Sequence, residues 1–188
     1  MLAWGFWPPR QTTHLLEIDP EQMGVPGDES SAVRDARRLS LVTPVWLRLG
    51  DSAKARLTFE PLPAQAIPAG KRDAALNYDV YVETRLDFPG LSVDPPGSSG
   101  QILPAGRTVV CWWQLTALRA GSIEGTAWLS LRFEPHQSGN AIIQALAAPR
   151  VRVQVRHLLG LSGAAARWVG SLLALVGAAG FIWRWKSA

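Results

Sequence analysis

Apolar and polar residues alternate with a period of two through much of the chain, most clearly at 75–88. There Leu76, Tyr78, Val80, Val82, Leu86 and Phe88 interleave with Asn77, Asp79, Glu83, Arg85 and Asp87. Successive side chains on a strand point to opposite faces, so the run predicts a half-buried strand with one wet face. The rhythm returns at 53–60, where Ala53, Ala55, Leu57 and Phe59 alternate with Lys54, Arg56, Thr58 and Glu60. That run follows a Gly50-Asp51-Ser52 turn and the apolar stretch 45–49, a combination that predicts a hairpin.

Strands are also expected at 107–117 and 122–133, on either side of a turn containing Arg119, Ala120 and Gly121, and at 151–155. Residues 11–18 read as an edge strand. Residues 19–31, rich in proline, glycine and acids, read as a mobile loop. About seven short strands with Pro-Gly and Ser-Gly-Asn punctuation and no helical period indicate an all-β fold, an antiparallel immunoglobulin-like β-sandwich. Its expected limits are 39–157, after an aromatic segment and loop at 1–38 and before a linker and helix at 158–188.

One stretch breaks the alternation. Residues 168–183 (WVGSLLALVGAAGFIW) carry no charge and are bounded by Arg167 on one side and by Arg184 and Lys186 on the other. Trp168, Trp183 and Trp185 sit at the two ends. Aromatic belts and flanking bases are the pattern of a membrane-spanning helix. With Ser162 as its cap the helix runs to Trp185, roughly 34 Å at 1.5 Å per residue, enough to cross a bilayer. The competing reading, a buried core helix, finds no amphipathic partner helix elsewhere in the chain. Ala166, Gly170, Ala174 and Ala178 recur every fourth residue, so one helix face is lined with small side chains. That spacing suits close packing of a neighbouring helix, a partner's or a second copy's.

Charge sharpens the membrane reading. Nineteen basic residues oppose fifteen acidic ones, and every acid lies at or before Glu134. Arg150, Arg152 and Arg156 share strand parity just ahead of the helix, where their guanidinium groups would meet an anionic leaflet together. Setting aside the three bases after His157 leaves sixteen bases against fifteen acids, too even for a nucleic-acid partner. The first residues, MLAWGFWPPR, lack the basic start and long apolar stretch of a signal peptide. Arg150, Arg152, Arg156 and Arg167 precede the helix, while only Arg184 and Lys186 follow it. Together these predict a cytoplasmic domain with the C-terminus across the membrane.

Chemistry is sparse in the sequence. His14, His136 and His157 are scattered, Cys111 is the lone cysteine and reads as a small buried hydrophobe, and no metal, nucleotide or nucleophile motif occurs. No catalytic residue, metal or cofactor is expected. Asp79, Glu83 and Asp87 read as solvated acids on one strand face. If 107–117 and 122–133 form a hairpin with Val109, Cys111, Trp113, Leu115 and Ala117 facing the core, Val110, Trp112 and Trp128 lie on the opposite side. Trp112 and Trp128 would then form a cross-strand aromatic pair that docks a partner or contacts lipid, or is covered by residues 2–7 or by a loop.

The stretch 106–133 (GRTVVCWWQLTALRAGSIEGTAWLSLRF) resembles the late hairpin of membrane-tethered bacterial immunoglobulin-like modules, with a Trp-bearing strand, a glycine turn and an alternating strand. The resemblance implies a binding or scaffolding part with no active site. Two functions are therefore expected to compete. One is a non-enzymatic, single-pass, tail-anchored adaptor whose sandwich docks a protein partner at the membrane. The other is a structural subunit of a multi-helix membrane complex, contacting its neighbours mainly through the helix.

Overall fold

The computed structural model describes residues 9–62, 72–157 and 162–186. The alternating runs form strands that pair, with two short exceptions, antiparallel. In chain order the strands are β1 (Gln11–Ile18), β2 (Gly24–Val25), β3 (Asp28–Ala32), β4 (Arg37–Pro44), β5 (Trp46–Arg48), β6 (Ser52–Pro61) and β7 (Arg72–Asp73). They continue as β8 (Tyr78–Asp87), β9 (Leu91–Asp94), β10 (Ser98–Ile102), β11 (Val109–Ala117), β12 (Gly121–Pro135), β13 (Ile142–Ala147) and β14 (Arg150–Arg156). A helix, α1 (Gly163–Lys186), follows.

Two sheets face each other across one hydrophobic cluster. The first has the order β1-β4-β6-β11-β9; the second has β10-β8-β12-β14-β5, with β13 also paired to β12. Leu39, Leu57, Phe59, Trp113 and Leu115 point inward from the first sheet, and Val82, Ile123, Leu129, Phe133 and Val153 from the second. The inward parity expected for β8, β11 and β12 is the parity found. β1 also keeps its expected place at a sheet edge, with β4 as its neighbour.

Pairing partners differ from expectation in two places. β11 and β12 are not a hairpin: β11 lies between β6 and β9, whereas β12 lies between β8 and the strands β13 and β14. The turn at 118–120 carries the chain from one sheet to the other. Likewise β5 does not pair with β6 but runs parallel to β14 in the opposite sheet. Alternation fixes which side of a strand meets the core; it leaves the choice of neighbour to long-range packing.

The stretch expected as a mobile loop at 19–31 instead carries short regular elements and contributes to the core. A 3-10 turn, Pro20–Met23, is closed by the Asp19 N–H donating to Gln22 Oε1 at 3.2 Å, and Met23 and Val25 are buried in the central cluster. β2 and β3 continue into a small sheet with β7. β1 and this segment therefore share the core of the sandwich that was expected to begin near residue 39.

Arg37 is an inward-facing charge at the end of β4, fully buried. It donates to the carbonyls of Arg107 (2.8 Å) and Pro104 (2.9 Å), lies 5.3 Å from the Phe59 ring centroid, and has Asp35 at 3.9 Å. Burial pulls its pKa down, and the Asp35 charge partly offsets that. These contacts fasten the loop between β10 and β11 to the first sheet.

Candidate functional site

Three surfaces carry the expected site residues: the root and exposed length of α1, the outer face of the first sheet, and the outer face of the second.

The root of α1 is built on the turn between β5 and β6. Ser162 Oγ accepts from the Ala165 N–H at 3.2 Å, the expected cap, and the Gly163 N–H donates to the Leu49 carbonyl at 2.9 Å. Arg167, one turn into the helix, donates from both terminal nitrogens to the Asp51 carboxylate at 2.9 and 3.0 Å. Arg48, almost fully buried, approaches the same carboxylate at 3.4 Å. Hydrogen bonding to Asp51 pushes the Arg167 pKa up. A Cβ on Gly163 would lie 2.4 Å from Asp51 Oδ1, so glycine is what allows the turn and the helix to approach so closely.

The small-residue stripe divides at this root. Ala166 and Gly170 are buried, whereas Ala174 and Ala178 are exposed. Beyond the root, Leu172, Leu173, Leu175 and Val176 are each more than three-fifths exposed, as are Trp168 and Trp183. The side chains of Phe181, Ile182, Arg184, Trp185 and Lys186 lie outside the described residues. Among the described residues no helix is long and apolar enough to cross a membrane.

Arg150, Arg152 and Arg156 do share one exposed face of β14, but they have local company. Arg152 Nε donates to Glu124 at 3.0 Å, and Arg156 lies 6.0 Å from the ring of Trp46, which Arg48 also approaches at 5.0 Å. Arg150 stands directly across from Thr126 of β12.

Trp112 and Trp128 are each about half exposed, at 52% and 48%. They are not a cross-strand pair. With β11 and β12 in opposite sheets, both facing the core with their odd-numbered residues, the two indoles stand on opposite outer faces. Trp112 is directly across from Arg56, whose guanidinium lies 5.3 Å from its ring, and Val110 beside it is half-buried. Trp128 is directly across from Arg85. Residues 2–7, expected as one cover for this pair, lie outside the described residues.

The acids on the wet face of β8 have local partners. Asp79 meets His136 at 3.2 Å, Glu83 meets Arg132 at 3.3 Å and Asp87 meets Arg85 at 3.0 Å. Among the described residues no group of three or more His, Cys, Asp or Glu is placed to hold a metal ion. Cys111 is buried, and desolvation pushes its thiol pKa up.

Asp51 and Glu124 are site residues that the sequence did not single out. Arg167 and Arg152, which they meet, lie far from them in the chain, and the one sign in the sequence, for Glu124, is that the chain's last acids precede a run of arginines.

No family model matches the chain, and no curated protein matches it in sequence. Among solved structures it is similar to part of a family 123 glycoside hydrolase from Clostridium perfringens. The TM-score is 0.26 and the identity 6%, over 78% of this chain and 27% of that one.

Proposed function

We propose that the protein is a non-enzymatic, single-pass membrane adaptor. Its β-sandwich, immunoglobulin-like in kind, is held at a set angle to an anchoring helix and docks a protein partner at the bilayer. The observation that carries the reading is the contrast along α1. Its first turn is fixed to the domain by the Ser162 cap, the Gly163–Leu49 hydrogen bond and the Arg167–Asp51 pair. Its continuation bares large apolar side chains at Leu172, Leu173, Leu175 and Val176. Apolar side chains exposed over several turns require lipid or protein around them. The helix has 24 residues, about 36 Å, and its sequence continues through the apolar Phe181 and Ile182.

The full chain, expressed in cells and fractionated, is expected in the membrane pellet after alkaline carbonate washing. Leu173→Lys together with Val176→Lys should move it to the supernatant. If the unaltered chain is released by salt or carbonate, the membrane reading is wrong. A cytoplasmic domain is proposed with it: in intact cells Ser138→Cys, on an exposed turn, should resist an impermeant maleimide and react after permeabilisation. Labelling of intact cells would reverse the topology.

A second reading, a structural subunit contacting neighbours through the helix, is favoured by the exposed small side chains of Ala174 and Ala178. Ala174→Leu with Ala178→Leu should abolish co-purification with neighbours if that reading holds, and leave partner capture intact if the sandwich is the docking element.

A further inference from the structure

We infer that the outer face of the second sheet at Trp128 is a saccharide-binding site. The inference rests on the sandwich alone and not on the membrane reading. A depression of about 240 Å³ lies there, lined by Asp87, Pro89, Glu124, Thr126, Trp128 and Arg150. That volume is below the roughly 300–1,000 Å³ of pockets that enclose drug-sized ligands, and it suits one or two sugar rings at the end or along the edge of a chain.

Strand register places the lining groups in order. Asp87 of β8, Thr126 of β12 and Arg150 of β14 are direct neighbours across three strands. Adjacent side chains of such a row start about 5 Å apart, so an acceptor, a hydroxyl and a donor follow one another along the floor of the depression. Trp128 stands two residues along β12 from Thr126, half exposed, and offers a flat apolar surface with one N–H donor.

Charge selects among ligands. Asp87 is already paired with Arg85 at 3.0 Å and Glu124 with Arg152 at 3.0 Å, and Arg150 adds a third guanidinium. A cationic peptide would meet the three arginines, and a strong anion would meet the two carboxylates. An apolar peptide would strip water from all five without replacing their hydrogen bonds. Hydroxyl groups both donate and accept. A pyranose can therefore satisfy carboxylate and guanidinium together while its C–H face packs on the indole.

The test uses the full chain, titrated by calorimetry and by saturation-transfer NMR with cello-, xylo-, manno- and chito-hexaose. At least one is expected to bind. Trp128→Ala should weaken that binding about tenfold or more. Asp87→Ala and Arg150→Ala should weaken it several-fold, while Trp112→Ala on the opposite face leaves it unchanged. Should Trp128→Ala lose its cooperative melt, the Asp87 and Arg150 variants, both altered at exposed side chains, decide the matter by the same measure. Failure of every oligosaccharide to bind, or equal losses from Trp112→Ala and Trp128→Ala, would overturn the assignment. So would a Trp128-dependent peptide that no sugar displaces.

Discussion

Cys111 shows what burial does to a single ionisable group. Its thiol is raised above the ordinary value of 9.0 by desolvation, so the folded protein keeps this proton at a pH where the unfolded chain has lost it. Stability from this group is complete below about pH 9 and falls as pH rises through the folded pKa. Chemical denaturation of the wild type should therefore weaken on the alkaline side, and Cys111→Ala should flatten that slope. Equal slopes would remove the thiol as the cause. The same burial predicts that a thiol reagent reacts at neutral pH only after unfolding. Gly125 makes a second residue-scale case: a Cβ there would sit 2.2 Å from the Phe88 ring. Gly125→Ala should cost about 1–3 kcal/mol in urea melts, with Phe88→Leu in the same chain restoring part of it.

Among elements, alternation was the most legible feature of the sequence. It assigned the inward residues of β8, β11 and β12, and it marked β1 at a sheet edge. It misjudged pairing, because β11 and β12 present the same inward parity whether they are hairpin partners or stand in opposite sheets. The segment 19–31 was misread for a different reason. Met23 and Val25 are isolated apolar residues among turn formers, and no periodicity reveals that they fill the core. The corrected topology has a measurable consequence. Trp112 and Trp128 stand on the outer faces of different sheets, so the stability effects of Trp112→Ser and Trp128→Ser should add within about 0.3–0.5 kcal/mol in a double-mutant cycle. A larger coupling would contradict the separation of their strands.

For the whole molecule, the question is how rigidly the sandwich and the helix are joined. The Ser162 cap was readable from sequence; the Asp51 partner of Arg167, lying 116 residues away, was not. A partly exposed ion pair alone contributes at most about 1 kcal/mol. Its effect on orientation is larger, because it restrains the helix one turn beyond the Gly163 hydrogen bond. Arg167→Gln should leave the domain's thermal midpoint nearly unchanged while broadening spin-label distances between Ser138→Cys and Leu175→Cys. A distribution as narrow as the wild type's would show that the cap and the Gly163 contact suffice.

The parallel pairing of β5 with β14 also bears on how the chain is made. β5 leaves the ribosome well before its sheet neighbour β14, the strand that precedes the helix, so the second sheet stays open at that edge until β14 has been made. Long-range pairing of this kind is slow, and unpaired edges invite association with other chains. The final strand and the apolar helix leave the ribosome one after the other. Completion of the sandwich and delivery of the helix to its surroundings are therefore consecutive events, and a ribosome stalled before residue 150 would hold a domain with neither.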